Sequence, residues 1–373
     1  MMKCPYCNSE NTVVFYETNM PTVLSACDQK LMTKSKNKKC QITVCKDCLL
    51  GFNSSKLSSA ELKEIYDNYC YISTTNGIGI SAYDGMIATL KQFFSVNDKI
   101  MEIGCSEGYI LKYLTDCGYN NLTGIEPGPQ AETAQSLGLN VIKEYFDENT
   151  VKSKYDGFFL VHVFEHFDDP FAIIKTMINL LNESGKIVIE IPNFSGYHHQ
   201  HLFYYNVAFM NRLCSDNGLK IINHYEDNKI LRLVLAKQDN NFYEPVKIEF
   251  NEKHFIKRVL NSYEKFKEKV SHIRKLLNKY KDSNIVWWGA GSLSVIYLNH
   301  LLNEVMSTSI TIVDGDKNKE NLFIPGANLK VNYFKILENK SVDVIVIASS
   351  YVKEIENTIK EHNIKPKKIE VIL

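Results

Sequence analysis

The chain of 373 residues has no apolar run of the roughly 20 residues needed to cross a bilayer, so no membrane-spanning segment is expected. It has no charge excess either: 43 Lys and Arg balance 43 Asp and Glu. Proteins that grip phosphate backbones carry a basic surplus, so a nucleic-acid partner is not expected. The start, Met1-Met2-Lys3-Cys4-Pro5, lacks the apolar core of a signal peptide, which points to a cytoplasmic location. Without that signal, the ten cysteines are expected to be reduced thiols and metal ligands rather than disulfides. The dinucleotide fingerprint G-x-G-x-x-G is also missing. What remains is ordinary for globular proteins, with 45% hydrophobic and 23% charged residues and length for two or three domains.

The most informative stretch that is present runs Lys99-Ile100-Met101-Glu102-Ile103-Gly104-Cys105-Ser106-Glu107-Gly108-Tyr109. A short apolar run enters Gly-x-x-x-Gly, and the helical pattern of Ile110, Leu111 and Leu114 follows. Glycine there takes positive φ and lets a ligand approach the backbone, with helix N–H groups behind it. The next strand, Leu122-Thr123-Gly124-Ile125, ends in Glu126-Pro127, 24 residues after Glu102. A carboxylate at that strand end can accept hydrogen bonds from both ribose hydroxyls. Together, Ile-Gly-Cys-x-x-Gly at 103–108 and Gly-Ile-Glu-Pro at 124–127 resemble the first two motifs of the class I S-adenosylmethionine (SAM) methyltransferases. The resemblance implies that SAM lies against Glu102, Gly104, Cys105, Gly108 and Tyr109 at the turn. Glu126 and Pro127 on the second strand and His162 on the fourth would complete its site.

Two pairs, Cys4-x-x-Cys7 and Cys45-x-x-Cys48, have the spacing of knuckles that give a tetrahedral Zn²⁺ four thiolates. Cys27 and Cys40 compete as ligands but are less regularly placed. Ser58–Tyr66 opens with a capping pattern and reads as a short helix. The aromatic run Tyr66-Asp67-Asn68-Tyr69-Cys70-Tyr71 then reads either as a packed linker or as a lid over the site.

A fourth strand, Tyr155–Val163, runs into His162-Val163-Phe164-Glu165-His166, where Glu165 and His166 either act chemically or satisfy a turn. After the strand Gly185–Asn193 comes Tyr197-His198-His199-Gln200-His201-Leu202-Phe203-Tyr204-Tyr205. Three histidines in four residues admit three readings: metal ligands, a general base with a pKa near neutrality, or chance clustering on a surface loop.

Near the end, Asn284–Trp288 leads into Gly289-Ala290-Gly291-Ser292, and Ile310–Asp314 is a second strand ending in an acid. Gly289, Gly291 and Ser292 would cradle a diphosphate if this second α/β unit binds a nucleotide; otherwise the unit is a scaffold. Residues 251–281 repeat apolar residues at helical spacing and read as a connecting helix, with a homodimer seam as the alternative.

In this order of parts the chain resembles the sugar C-methyltransferases, which join a zinc module, a SAM core and a C-terminal Rossmann-like domain. Members act on nucleotide-linked deoxysugars, and their loop reads roughly Tyr-His-Glu-His-Leu-Ser-Tyr-Phe. His199, His201, Leu202 and Tyr204 match it, while His198 and Gln200 stand where the family has tyrosine and glutamate. The resemblance implies His201 as first candidate base, His199 beside it, Tyr204 and Tyr71 as orienting groups, and His198 and Gln200 at the substrate. The departures leave open whether carbon, oxygen or nitrogen is methylated.

The expectation is therefore an α/β protein with a Rossmann-like methyltransferase core over 76–238. A zinc module and lid would occupy 1–75, and a linker helix with a small Rossmann-like domain 239–373. It would bind SAM and Zn²⁺ and act on a small molecule, a nucleotide sugar. Rival readings are an O- or N-methyltransferase on a related metabolite, a zinc-dependent nucleic-acid binding protein with a vestigial cofactor fold, and an NAD-linked sugar enzyme.

Overall fold

The structure, a computed structural model, describes residues 2–67 and 80–372. Tyr71 and most of the aromatic run expected as linker or lid lie outside the described residues. In chain order the strands are β1 (Thr12–Pro21), β2 (Asn37–Cys45), β3 (Gly51–Asn53), β4 (Ile100–Ile103), β5 (Leu122–Ile125), β6 (Val141–Ile142), β7 (Tyr155–Val161), β8 (Leu181–Pro192) and β9 (Phe203–Tyr204). They continue as β10 (Leu219–Glu226), β11 (Ile230–Lys237), β12 (Ile285–Trp288), β13 (Ile310–Asp314), β14 (Phe323–Ile324), β15 (Leu329–Tyr333), β16 (Ser341–Ile347) and β17 (Lys365–Val371). The chain divides into two compact units. The first takes in Met1–Tyr16, Gln41–Lys56 and Ala82–Val259; the second takes in Glu17–Cys40, Leu57–Ser81 and Leu260–Leu373.

The first unit is built on a seven-stranded sheet in the order β10-β11-β8-β7-β4-β5-β6. Its inner strands are buried on both faces and mostly apolar, as β4 shows with all four residues buried and Glu102 its one charged side chain. The strands from β4 to β8 pair in parallel. The sheet then closes with an antiparallel hairpin in which β11 sits between β8 and β10. That ending departs from the all-parallel dinucleotide order. Arg232 on β11 faces Glu190 on β8, and its Nε donates to the carboxylate at 2.6 Å in a buried pair. Helices cover the sheet because their apolar residues recur on one side. In Tyr109–Asp116, Ile110, Leu111 and Leu114 are buried. The helix Pro170–Leu180 starts where Asp169 accepts from the N–H groups of Phe171 and Ala172, with proline at its first turn. Within the same unit β2 from Gln41 on, β3 and β9 are antiparallel neighbours, with Ile42 opposite Asn53 and Gly51 opposite Tyr204.

The second unit carries a six-stranded sheet, β14-β15-β13-β12-β16-β17, parallel except at its β14 edge. Trp287 and Trp288 on β12 fill its two faces: Trp287 Nε1 donates to Ser294 Oγ at 2.8 Å, and Trp288 stacks on Phe334. The single helix expected over 251–281 is two, Glu252–Leu260 and Ser262–Lys279. The break falls at Asn261, with φ −85° and ψ −2°, between the end of the first helix and the start of the second. Asn-Ser is a natural place for it, since both side chains compete for backbone hydrogen bonds. No helix among the described residues is long and apolar enough to cross a membrane.

Candidate active site and thiol cluster

In the first unit the chain leaves β4 to build one side of the sheet and returns through β7 to build the other. Ligands of open α/β sheets bind at such a reversal. Gly104 leaves β4 with φ +75° and Gly108 opens the next helix with φ +77°. Both dihedrals favour glycine. A Cβ on Gly104 would lie 2.5 Å from Val163 Cγ2, and one on Gly108 would lie 2.4 Å from Leu139 Cδ1. The turn is thus pressed against the chain leaving β7. Ser106 between the glycines has φ 48°. Glu126 sits at the end of β5, where its Oε2 accepts from the Ser106 N–H at 3.1 Å and its Oε1 from the Gly128 N–H at 2.8 Å. Each oxygen keeps a lone pair beyond those bonds. Burial holds this carboxyl above its usual range. Glu102 is wholly buried, and its Oε2 accepts no hydrogen bond among the described residues. Burial first, and then the Glu126 charge, raise its pKa well above normal. Cys105 is buried on the same turn, Tyr109 packs on Tyr83 with ring centroids 5.5 Å apart, and Pro127 follows Glu126.

Beside the turn, the residues after β7 and those after β8 converge. His162 holds φ 54°, a conformation strained for a residue with a Cβ. Its Nδ1 lies 3.7 Å from Glu165 Oε1 and its Nε2 3.6 Å from Glu190 Oε1. Glu165 is buried, and neither of its carboxylate oxygens accepts a hydrogen bond among the described residues. The Nε2 atoms of His166 and His201 lie 3.9 and 3.8 Å from Glu165 Oε1. His166 Nδ1 donates to the Gln200 carbonyl at 2.9 Å. His198 and His201 face each other with ring centroids 3.9 Å apart. Burial pushes His198 down to about 3 and holds His201 well below its ordinary value, with the neighbouring histidines adding to both effects. Of the three readings of this loop, the surface loop is the one the structure removes: His198, His199, Gln200 and His201 are all buried. Tyr204 braces it, since its hydroxyl accepts from the His198 N–H and donates to the His198 carbonyl, each at 3.1 Å.

The thiol group sits at the other end of the same loop. Cys4 Sγ is 3.5 Å from Cys48 Sγ, and Cys7 Sγ is 3.6 Å from Cys45 Sγ. All four sulfurs lie within 4.8 Å of one another. Tetrahedral Zn–S bonds of about 2.3 Å set sulfurs roughly 3.8 Å apart, so the cluster fits zinc. Four thiols this close need shared protons or a cation: a hydrogen bond with Cys48 pushes Cys4 down to about 5 and Cys48 upward. Cys27 and Cys40 are not part of this group. The turn between Cys45 and Gly51 is tied to the histidine loop by Asn206 Nδ2, which donates to the Leu49 carbonyl, and by β9 on β3.

In the second unit Gly289 leaves β12 with φ 123°, and a Cβ there would lie 2.6 Å from the Ala348 carbonyl oxygen. Gly291 has φ −98° and nothing within 4 Å of where a Cβ would stand. Ser292 begins the following helix. Asp314, at the end of β13, accepts from the Ala290 N–H at 2.7 Å, the Asp316 N–H at 2.8 Å and Lys319 Nζ at 3.1 Å.

Residues 81–224 match the family model of the methyltransferase domain. That part of the chain has the fold of a class I SAM-dependent methyltransferase domain, the fold of an enzyme. Among curated proteins, the tRNA U34 carboxymethyltransferase of Aliarcobacter butzleri is 28% identical over 117 residues, covering 27% of this chain and 36% of that one. The protein of the same name from Sulfurimonas denitrificans is 24% identical over 116 residues, covering 27% and 37%. The chain thus spans well under half the length of the curated relatives it matches. Among solved structures, the 1,6-didemethyltoxoflavin-N1-methyltransferase of Burkholderia thailandensis aligns at 14% identity with a TM-score of 0.40, covering 54% of this chain and 96% of that one. Magnesium protoporphyrin IX methyltransferase from Synechocystis aligns at 14% with a TM-score of 0.37, covering 47% and 92%.

The residues of the methyltransferase domain fit SAM on two observations. The Glu126 carboxylate stands over the glycine turn with lone pairs to offer hydroxyls. The orphaned Oε2 of Glu102 is a buried acceptor at the same turn, suited to a cationic donor. Sequence reasoning left Glu165 undecided, and the structure makes it the centre of the histidine cluster. The signal for it was Glu-His directly after a core strand; the distance to residue 201 along the chain hid the partnership.

Proposed function

We propose that this protein transfers a methyl group from SAM to the sugar of a nucleotide-linked sugar. SAM supplies the methyl as an electrophile on a sulfonium; the chain's residues do the rest. The glycine turn, Glu102 and Glu126 hold and orient the donor. The acceptor's proton leaves into the histidine cluster, with His201 the first group to test and His198 packed against it. Tyr204 holds the loop shape through the His198 backbone, and the buried Glu165 carboxylate steadies positive charge among the rings. Four cysteines, Cys4, Cys7, Cys45 and Cys48, hold a structural zinc that anchors the loop through β3 and β9. The second unit, taken by itself, offers Gly289, Gly291 and Ser292 as a proposed seat for a diphosphate, since Gly291 leaves open space before a helix N-terminus.

The single observation that supports methyl transfer with proton removal is the packing of Gly104 on Val163. It sets the cofactor turn against the strand end that carries His162, Glu165 and His166. Geometry of this kind, with donor and base held at one place, is worth several orders of magnitude in rate. A second reading, a nucleobase in RNA as acceptor, is favoured by the names of the curated relatives. The balanced charge speaks against it. The deciding experiment incubates the protein with SAM and either a panel of nucleotide keto sugars or bulk tRNA, followed by mass spectrometry and NMR of the products. A methylated sugar is expected; methyl incorporation into tRNA alone would replace the proposal with the second reading.

A further inference from the structure

We infer that Glu165, His166 and His201 form a site for one divalent transition-metal ion, separate from the four-thiol cluster. One carboxylate oxygen and two imidazole nitrogens lie within 4.8 Å of one another. The two nitrogen–oxygen gaps, 3.9 Å from His166 and 3.8 Å from His201, are each spanned by a pair of metal–ligand bonds of about 2.0–2.2 Å.

Three features of the cluster ask for a cation. First, Glu165 has a side chain 1% exposed, and neither of its oxygens accepts a hydrogen bond among the described residues. A carboxylate taken that far from water is costly unless paired or metal-bound. Second, the Gln200 carbonyl can only accept, so His166 carries a proton on Nδ1, and its other nitrogen, Nε2, is the one set beside Glu165 Oε1. Third, an imidazole whose far nitrogen donates to a backbone carbonyl is the usual arrangement of a metal-bound histidine, because that bond fixes the ring and its tautomer.

Two imidazoles and one carboxylate suit zinc, iron, cobalt or nickel better than calcium or magnesium, which prefer all-oxygen shells. A three-ligand set leaves coordination positions open. His162, whose side chain is 45% exposed and whose Nδ1 is 3.7 Å from the same Glu165 oxygen, marks the side that faces solvent. The inference rests on the methyl-transfer reading for the ion's purpose: an acceptor oxygen bound in an open position would make its neighbouring proton easier to remove. His201 then serves as a ligand, and His198, outside the ligand set, is left to take the proton.

The test is a metal count on the full chain. Protein is incubated with Co²⁺, passed through gel filtration and analysed for total zinc and cobalt. Two ions per chain are expected in the wild type, one on the thiols and one here. Glu165→Gln and His201→Ala should each hold one, with the thiol-bound ion retained. One ion per wild-type chain, or two in the His201→Ala variant, overturns the inference and leaves a protonated histidine as the partner of Glu165. Should Glu165→Gln fail to fold, the wild-type and His201→Ala counts decide. SAM binding by calorimetry on the same wild-type preparation separates the two ideas. Protein that binds SAM but holds one ion keeps the methyl-transfer reading and loses the metal site. Protein that holds two ions but does not bind SAM keeps the site and loses the reading.

Discussion

The two units each contain a strand, a glycine turn, a helix and an acid at the end of the neighbouring strand, yet the two acids are used differently. Glu126 accepts from backbone N–H groups of the glycine turn and of its own loop, Ser106 and Gly128, and no cation lies on it among the described residues. Asp314 accepts from two backbone N–H groups and also from the buried Lys319 ammonium. The strand ends facing the turns differ as well. Gly104 meets Val163, amid His162, Glu165 and His166, whereas Gly289 meets Ala348, followed by two serines. A pattern of glycine turn plus acid therefore does not define a nucleoside site. What matters is whether the acid is already neutralised and whether chemistry stands across the turn.

The largest expected effect comes from removing the proposed zinc, because all four thiols belong to the first unit. Structural zinc contributes apparent free energies of roughly 10–16 kcal/mol in small modules. Chelation should raise hydrogen exchange over residues 4–16 and 41–53 and loosen the histidine loop through β3 and β9, leaving 285–372 protected. Equal loss of protection in both units, or none in either, would break the contrast.

Next comes His201→Ala, which tests whether chemistry stands across the first turn. Turnover should fall by about 10²–10⁴ if the proton leaves through this cluster. SAM affinity should hold, since Glu126 and the turn are untouched. Near-normal turnover would move proton removal to His162 or another neighbour.

Much of this was legible in the residues, and the reasons are local. Gly104, Gly108 and Glu126 lie within 23 positions of one another and obey strand and turn rules, so their proximity follows from chain geometry alone. That the Cys-x-x-Cys pairs come together was legible because two such knuckles have the spacing that lets four thiols converge on one point. The helix break at Asn261 was obscured by an apolar stripe that runs unbroken through it. The pairing of Arg232 with Glu190 depends on β11 inserting beside β8, a sheet-order event with no mark in either segment. The burial of His198–His201 was hidden for the same kind of reason. A polar run reads as surface until β9 is known to pair with β3 and hold it inside.

The third effect is on stability. Asp314→Ala strips Lys319 of its buried partner, and breaking such pairs costs about 3–5 kcal/mol. Urea unfolding should show the second unit destabilised, with SAM affinity unchanged. Glu126→Ala should do the converse: SAM binding weakens by roughly 1.5–3 kcal/mol, the worth of hydrogen bonds to a charged group. Calorimetry that finds SAM affinity unchanged in Glu126→Ala would reject that carboxylate as a cofactor residue and erase the difference between the acids.

The smallest effect tests whether the second turn is scaffold or site. Gly291 has an ordinary φ of −98°, and a Cβ there meets nothing within 4 Å. Alanine should therefore be tolerated, with stability changed by about 1 kcal/mol at most and in the favourable direction, because the unfolded chain loses freedom. Gly108→Ala in the first unit should be harmful by comparison, since φ is +77° and Leu139 stands 2.4 Å from the added atom. The same open space over Gly291 is what a diphosphate would need to approach the N-terminus of the helix Ser292–His300. A methyl group placed there would keep the ligand off without disturbing the fold. Gly291→Ala is thus expected to fold as well as the wild type and to bind a nucleoside diphosphate measurably less well. Unchanged nucleotide binding in a well-folded Gly291→Ala protein would make the second unit a scaffold and leave acceptor recognition to the first.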